Sequence, residues 1–199
     1  MVEKCSALIL SGGLSSRMHF PKAYLLYRNS TFAETIIREY WKAGIRDIKI
    51  VMNHRLCGQE WSGYFNTIRA QAMVLENNKP ENGRSYSLLL GLKSLLPTGF
   101  CFLQNVDTPY VDANLIRRLF ASRNENGTTV PTYIGRHGHP VLLSTPVIRE
   151  IISKDREDIN LKELLQNYPR TCVEVPNEEI LLNINTPDDY FSFLKLQTA

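Results

Sequence analysis

Short, almost continuously apolar runs alternate along the chain with longer amphipathic segments, and this alternation restricts the possible folds more than any other feature. The runs predict strands at residues 6–10, 47–52, 72–76 and 100–106. Strands that are apolar on both sides are covered on both faces, and strands separated by helices are joined by right-handed crossovers. The pattern therefore predicts a parallel sheet between two layers of helices.

The amphipathic segments carry their own start and stop signals. The clearest is TFAETIIREYWKAG, where Thr31 and Glu34 match a capping box and Gly44 is placed to end the helix. Further helices are expected at residues 85–96, at 112–122 with Asp112 as the N-cap, at 146–153, at 161–168 and from Pro187 onward.

The second half of the chain is less regular. Residues 128–144 predict two short strands around a glycine and histidine turn, and apolar segments follow at 171–175 and 180–185. With 199 residues, 43% of them hydrophobic, the chain is long enough to fill one core. We expect one domain over residues 1–199 in the α/β class, a three-layer Rossmann-like fold with a mostly parallel, mixed sheet and helices on both faces.

Composition argues against several classes of function. The net charge is only +3 and the charges are interspersed, so the basic stripe typical of nucleic-acid binding is missing. No apolar run approaches the roughly 20 residues that cross a bilayer, and the first residues lack the shape of a signal peptide. Four cysteines occur without a Cys-x-x-Cys pair, which argues against a zinc cage. We therefore expect a cytoplasmic protein that binds neither nucleic acid nor membrane.

The segment LILSGGLSSRMHFPKAYLL, residues 8–26, begins in the first predicted strand and continues into a loop with unusual chemistry. Gly12 and Gly13 allow backbone N–H groups to converge on an anion, and three serines can add hydroxyl donors. Arg17 and Lys22 supply two cations. Ligands of open parallel sheets bind beyond the carboxyl ends of the strands, so the loop is interpreted as a polyphosphate cradle. The alternative is a mobile glycine turn with solvated cations.

Two common phosphate-binding motifs do not fit this loop. A P-loop requires a second glycine followed by Lys, and Arg17 stands where that glycine is needed. The dinucleotide fingerprint Gly-x-Gly-x-x-Gly is not matched by GGLSSR either. A P-loop NTPase and a nicotinamide enzyme are therefore disfavoured.

The loop resembles the signature of the MobA-like NTP transferase family, the nucleotidyltransferases of molybdenum-cofactor maturation and their relatives in sugar-nucleotide and isoprenoid-precursor synthesis. The likeness continues in order through NGRSYSLLLGL, LQNVDTPYVDANLI, GRHGHPVLLS and LLNINTPDDY. The third segment is similar to the cytidylyltransferase branch, whereas SGG in the loop is closer to the guanylyltransferase branch. The chain departs from the family at His19, where the signature has Gly, and at SKDREDINLKELL, which lacks the Gly-Ala stretch of the cytidylyltransferases.

This resemblance implies a nucleotidyltransferase that moves an NMP group from an NTP, CTP ahead of GTP, to a phosphorylated acceptor and releases pyrophosphate. Molybdopterin is the first acceptor expected, with a transient contact to a molybdoenzyme. A sugar phosphate, another small phosphorylated acceptor or a non-catalytic nucleotide-binding regulator are the alternatives. The catalytic residues expected are Arg17, Lys22 and Asp107.

The resemblance also implies Mg2+ as the cofactor, held by Asp107 and by Asn185, which is favoured over Asn183. Each could instead cap a turn or a helix. The backbone of Leu10 and Gly12 is expected near the base, with Asn53 and Ser87 as hydrogen-bond partners that could equally be ordinary loop or helix-start residues. His139, from the His-Pro segment, is expected to contact the acceptor. The complete set expected to bind nucleotide or acceptor is Leu10, Ser11, Gly12, Gly13, Ser15, Ser16, Asn53, Gly83, Ser87 and His139.

Overall fold

An eight-stranded mixed sheet forms the centre of the protein in a computed structural model, which describes residues 4–27, 29–95, 99–154 and 160–196. A separate antiparallel pair is made by β2 and β3. The strands, in chain order, are β1 (Cys5–Ser11), β2 (Leu26–Tyr27), β3 (Ser30–Thr31), β4 (Asp47–Asn53), β5 (Met73–Asn77), β6 (Phe100–Asn105), β7 (Thr128–Tyr133), β8 (Arg136–His137), β9 (Val141–Leu143) and β10 (Arg170–Glu174).

The strand order confirms the mostly parallel, mixed sheet. The order is β10-β7-β9-β6-β1-β4-β5, with β8 paired to β7. β1 lies between β6 and β4 and is parallel to both, and β4 is parallel to β5. β9 is antiparallel to β6 and β7. The four strands predicted from apolar runs end within one residue of the expected positions.

The less regular second half differs from the expectation in its detail. Residues 128–144 form three strands rather than two, because β8 folds back on β7 through a turn at Gly135, where φ is +73°. A two-residue strand is too short to give a periodic pattern. The apolar segment at 171–175 corresponds to β10. The segment at 180–185 begins inside a 3-10 helix, Glu178–Leu181, and its remaining residues form no strand.

Helices pack around the sheet at the positions expected, with one addition. The part of the chain that the structure describes contains α1 (Phe32–Ala43), α2 (Ser62–Arg69), α3 (Gly83–Lys93), α4 (Ala113–Ala121), α5 (Thr145–Lys154), α6 (Leu161–Gln166) and α7 (Pro187–Leu196). The sequence does not predict α2, and only Phe65 and Ile68 of its described residues are buried, which leaves a weak apolar pattern. α3 ends at Lys93, with Ser94 as its C-cap, instead of continuing to the predicted end at Leu96, a residue that lies outside the described ranges.

The ends of α1 show how local sequence sets a boundary. The Glu34 amide donates to Thr31 Oγ1 at 3.2 Å, and the Thr31 amide donates to Glu34 Oε2 at 2.7 Å, which is the expected capping box. Gly44 ends the helix with φ +99°, a conformation that glycine adopts without a Cβ penalty. Asp112 caps α4 as predicted, since its Oδ1 accepts from the amides of Asn114 and Leu115 at 2.8 Å.

Two hydrophobic clusters cover the two faces of the sheet, as the continuous apolar strands require. Ala7 and Ile9 of β1 point into the cluster formed with α1, α2, α4 and α7. Leu8 and Leu10 point into the cluster formed with α3, α5 and α6. The three-layer α/β class is therefore confirmed. Within the described ranges, no helix combines the length and apolar character needed to cross a bilayer.

α3 lies unusually close to β1, and glycine makes this approach possible. A Cβ on Gly91 would fall 2.3 Å from Leu8 Cδ1, and a Cβ on Gly12 would fall 2.2 Å from Ser87 Oγ. Ser87 and Gly91 are four residues apart and share one face of α3. The close contact fixes the first turn of α3 beside the loop that follows β1.

Candidate active site

A cleft of about 360 Å3 opens at the carboxyl ends of β1 and β6. This volume lies in the range of small-molecule sites, and the position is the one where open α/β sheets bind ligands. Segments from five distant parts of the chain form its walls. The residues predicted from the sequence that line it are Leu10, Ser11, Gly12, Gly13, Ser15, Ser16, Arg17, Lys22, Gly83, Ser87, Asp107, His139 and Asn185.

Lys22 lies between two oxygen atoms that accept its hydrogen bonds in this cleft. Its Nζ donates to Asp107 Oδ2 at 3.2 Å and to Asn185 Oδ1 at 2.7 Å. The backbone at Lys22 begins a 3-10 helix whose other two residues, Ala23 and Tyr24, are fully buried. Tyr24 stacks on the ring of Trp61 with a centroid distance of 5.4 Å. The core therefore anchors the backbone, while the side chain reaches into the cleft.

Asp107 follows β6 and is joined to the segment before α7. Its carbonyl oxygen accepts from the Ile184 amide at 2.8 Å, which brings Asn185 alongside. Asp107 Oδ1 is buried, and the described residues offer it no hydrogen-bond partner. Asn183 also lines the cleft, but its Nδ2 donates to the carbonyl of Leu181 at 3.2 Å. Asn185 and Asp107 thus share the Lys22 ammonium, and the choice of Asn185 over Asn183 as a metal ligand stays a prediction.

The glycine loop after β1 is shaped by α3 and by local backbone conformation. Gly12 is buried against Ser87, whose Oγ accepts from Asn77 Nδ2 at 2.9 Å. Ser15 and His19 adopt φ values of +50° and +55° in the left-handed region. His19 stands where the family signature has Gly, so this conformation supplies a physical reason for that glycine.

The structure does not bring Asn53 to the cleft. Its side chain is buried, and its Oδ1 accepts from the Arg55 amide at 3.1 Å at the start of a 3-10 helix, His54–Leu56. This is the capping role of an asparagine after a strand rather than a base contact. The polar groups that lie beside Gly12 instead are Asn77 and Ser87.

Some residues that line the cleft were missed by the sequence reasoning: Arg84, Asn105, Val106 and Asn183, the last weighed but set aside. The Arg84 side chain is exposed, and partial desolvation in the cleft lowers the pKa of its guanidinium while Asp107 acts to raise it. The segment NGRSYS could have indicated Arg84 as a residue of the cleft, because Arg84 directly follows Gly83 at the start of a helix that faces the loop.

His139 forms the wall opposite the loop. Burial lowers its pKa to about 4, Arg84 contributes to the lowering, and Asp107 opposes it. The imidazole is therefore neutral at pH 7. Its Nε2 lies 3.5 Å from Asn105 Nδ2, and its backbone amide donates to the Ile180 carbonyl at 3.1 Å. A neutral ring at this position can exchange hydrogen bonds with a ligand without adding charge.

The charge of the cleft favours an anionic ligand. Among the described residues that line it, Arg17, Lys22 and Arg84 are cations, and Asp107 is the single carboxylate. Within the described ranges, no group of three or more His, Cys, Asp and Glu side chains is arranged to hold a metal ion. A metal here would therefore have to complete its coordination with water and ligand oxygens, as Mg2+ commonly does at phosphate sites.

Comparison with known proteins decides the family. Residues 7–172 match the model of the MobA-like NTP transferase domain. The chain belongs to that family. As a MobA-like NTP transferase it is 28% identical over 188 residues to the molybdenum cofactor cytidylyltransferase of Escherichia coli strain K12, with 93% of each chain covered. It is 24% identical over 202 residues to the molybdenum cofactor guanylyltransferase of Campylobacter jejuni subsp. doylei, with 96% of each covered.

Solved structures share the fold of this MobA-like NTP transferase. A nucleotidyl transferase from Methanothermobacter has a TM-score of 0.80 at 20% identity and covers 99% of this chain and 100% of its own. A Mycobacterium tuberculosis H37Rv protein, solved as a complex with manganese, has a TM-score of 0.72 at 22% identity, covering 96% and 98%. The family establishes the chain as a nucleotidyltransferase, and these neighbours establish its fold.

Proposed function

We propose that this enzyme transfers CMP from CTP to the phosphate of a molybdopterin-type acceptor and releases pyrophosphate. The observation that carries the proposal is the placement of Lys22 between Asp107 and Asn185, beside the glycine loop and inside a cationic cleft. This arrangement provides a cradle for a triphosphate together with oxygen donors for its counter-ion. The names of the relatives, both molybdenum cofactor nucleotidyltransferases, support the choice of acceptor.

The proposed reaction needs positioning and charge neutralisation more than proton transfer. A phosphate monoester has a second pKa of about 6, so the acceptor arrives mostly as a dianion. One of its oxygens forms a bond to the α-phosphorus of CTP, the bond from that phosphorus to the bridging oxygen breaks, and pyrophosphate leaves with the electron pair. The difficulty lies in bringing two anions together and in stabilising the leaving charge.

Three side chains are suited to that electrostatic task. Lys22 starts the 3-10 helix at the floor of the cleft and faces the position proposed for the α-phosphate. Arg17 lies in the glycine loop and presents a planar guanidinium suited to the β- and γ-phosphates. Arg84, across the cleft near His139, is suited to the incoming phosphate of the acceptor.

The residues present also fit a divalent cation, which we propose to be Mg2+. Asp107 Oδ1 is a buried carboxylate oxygen without a partner among the described residues, and Asn185 Oδ1 supplies a second hard oxygen close to Asp107. Asp107 and Asn185 would hold the ion, which when bound neutralises phosphate charge during the transfer. The manganese complex of the Mycobacterium tuberculosis neighbour agrees with a site for a divalent metal in this fold.

CTP is proposed ahead of GTP on three grounds. The segment GRHGHPVLLS is similar to the cytidylyltransferase branch, and the 28% identity to the cytidylyltransferase exceeds the 23% to 26% found for several guanylyltransferases. The base would lie against Leu10, Gly12, Gly83 and Ser87, and the contact of Gly12 with Ser87 limits the room on this side of the cleft. A pyrimidine occupies less space than a purine in this part of the cleft.

Pyrophosphate release tests the proposal directly. The purified protein is incubated with Mg2+, each of the four NTPs and each of three acceptors: molybdenum cofactor, a sugar 1-phosphate and a phosphorylated alcohol. We expect release with CTP and molybdenum cofactor, together with one equivalent of the cytidine dinucleotide product. Release with another acceptor alone would reassign the substrate, and nucleotide binding without release under any condition would favour a regulator.

A further inference from the structure

Lys22 occupies the space between the two oxygens proposed to hold the metal. Its Nζ lies 3.2 Å from Asp107 Oδ2 and 2.7 Å from Asn185 Oδ1, so one ammonium bridges both donors. The Lys22 side chain is 13% exposed and that of Asp107 is 25% exposed, so the pair is screened by water less than a surface ion pair would be. Lys22 thus supplies the positive charge that this carboxylate needs in the free protein.

The backbone segments that carry the two oxygens are held by contacts that do not involve Lys22. The Asn185 and Thr186 amides both donate to Asp189 Oδ2 at 2.9 Å, and the Asp189 amide donates to Thr186 Oγ1 at 3.2 Å. Asp107 is tied to the same segment through its carbonyl and the Ile184 amide. The backbone at Asp107 and Asn185 would therefore keep its place if the lysine side chain moved away, which leaves both side chains beside each other.

The Lys22 side chain, in contrast, can move without disturbing the fold. Its four-carbon stem is flexible, whereas its backbone is anchored by the buried Ala23 and Tyr24. An ammonium and a divalent cation cannot both sit between the same two oxygens, since their charges repel and the donors' lone pairs are shared. A cation that enters must displace the ammonium, and the ammonium must find another anion.

We propose that Lys22 blocks the metal-binding oxygens in the free enzyme and gives them up when a triphosphate offers its own oxygens. Lys22 is then a positioning residue that couples the two ligands: the divalent cation binds the free enzyme weakly, and the nucleotide and the cation enter together. By linkage, the coupling strengthens each ligand's affinity for the protein by the same factor. This inference rests on the metal site of the proposed function and adds that the site is filled when the nucleotide binds.

Binding of Mn2+ to the nucleotide-free protein, followed by the EPR signal of free Mn2+, tests the inference without turnover. Lys22→Met removes the ammonium and keeps most of the stem. Arg17→Met is the matched control, because it removes a cation from the same cleft but not from between the oxygens. A double variant, Lys22→Met with Asp107→Asn, tests whether any gain in Mn2+ affinity depends on the Asp107 carboxylate. Lys22→Gln serves as a second variant if Lys22→Met does not fold.

We expect Lys22→Met to bind Mn2+ at least about tenfold more tightly than the wild type, which is in the usual range of coupling between ligands. Arg17→Met should change the affinity by less than about threefold, because Arg17 is exposed and its field is screened. The double variant should not show the increase in Mn2+ affinity expected for Lys22→Met. Equal affinities of Lys22→Met and wild type, or no measurable binding by any variant, would overturn the inference. Failure of CTP-dependent pyrophosphate release would leave these binding results unchanged, so the two proposals fail separately.

Discussion

At the scale of single residues, the cleft depends most on Asp107, the one carboxylate among the described side chains that line it. One of its oxygens binds Lys22 and the other is buried without a partner among the described residues. A buried anionic oxygen without a donor is costly unless a cation compensates it. The position therefore serves ligand binding rather than stability.

Replacing Asp107 by Asn should separate the contribution of this carboxylate to ligand binding from its contribution to stability. The shape is kept and one negative charge is lost, so we expect turnover to fall by about 10²–10³ and its dependence on Mg2+ to shift to higher concentration. The free energy of unfolding should change by less than about 1 kcal/mol, since the Lys22 pair is partly exposed. Asp112→Asn is the control, because Asp112 caps α4 and Asn caps equally well. Unchanged Mg2+ dependence in Asp107→Asn would remove Asp107 from the metal site.

His139 predicts a pH dependence of stability. Its ordinary pKa of 6.5 falls to about 4 in the folded protein because of burial. Between these two pH values the unfolded state binds more protons than the folded state. The contribution of His139 to the free energy of unfolding is therefore fully present above about pH 6.5 and is lost as the pH falls toward 4. The loss attributable to this group is up to about 3 kcal/mol. Urea denaturation between pH 7 and 4 measures it.

The control for this pH effect is a side chain that does not titrate. His139→Gln cannot bind the proton, so its unfolding free energy should decline less over the same pH range than that of the wild type. His19→Gln removes an imidazole from the exposed part of the loop and reports the effect of a change outside the cleft wall. A decline in His139→Gln as steep as in the wild type would show that other groups cause the pH dependence.

Several site residues were predictable because their chemistry is local. The glycines, serines and cations of residues 11–22 stand close together in the sequence, and Asp107 follows a clearly apolar strand. The sequence placed Asn53 at the cleft, whereas its side chain caps the next turn. A position at the end of a strand is compatible with either arrangement, so the sequence pattern could not distinguish them. Arg84 was missed because its role depends on the orientation of α3, which periodicity alone does not set.

At the scale of elements, the contact between β1 and α3 shapes the cleft. Gly12 and Gly91 both pack where a Cβ would collide with the opposite element, which brings the first turn of α3 beside the glycine loop. The sequence predicted both elements, but it could not predict their spacing, since this arises from the pairing of small residues across the interface. The short β8 was beyond prediction for a different reason: its two residues pair only through the hairpin with β7.

Gly12→Ala and Gly13→Ala form a matched test of that spacing. A Cβ added at Gly12 would lie 2.2 Å from Ser87 Oγ, whereas a Cβ added at Gly13 meets no atom within 4 Å. We expect the change at Gly12 to destabilise the protein by about 1–3 kcal/mol and to weaken CTP binding, because the loop must move off α3. The change at Gly13 should alter stability by no more than about 0.5 kcal/mol. Equal unfolding midpoints for the two variants would contradict this packing argument.

At the scale of the whole molecule, the cleft joins segments that are far apart in sequence. Lys22 and Asn185 are 163 residues apart and share a hydrogen bond, and Lys22 and Asp107 are 85 apart. The alternation of strands and helices predicted the three layers and the edge of the sheet where a ligand binds. It could not predict that the segment before α7 returns to this edge, because that segment forms no strand and reaches Asp107 by a single backbone hydrogen bond.

A crystal structure of the protein with Mg2+ and a non-hydrolysable CTP analogue tests the central claim most directly. We expect the triphosphate to lie along the loop from Ser11 to Lys22, with the base against Gly12, Gly83 and Ser87 on the cleft side. The metal should contact Asp107 and the phosphates, and Lys22 Nζ should have left Asp107 for a phosphate oxygen. A triphosphate bound elsewhere, or a metal bound away from Asp107, would contradict the account.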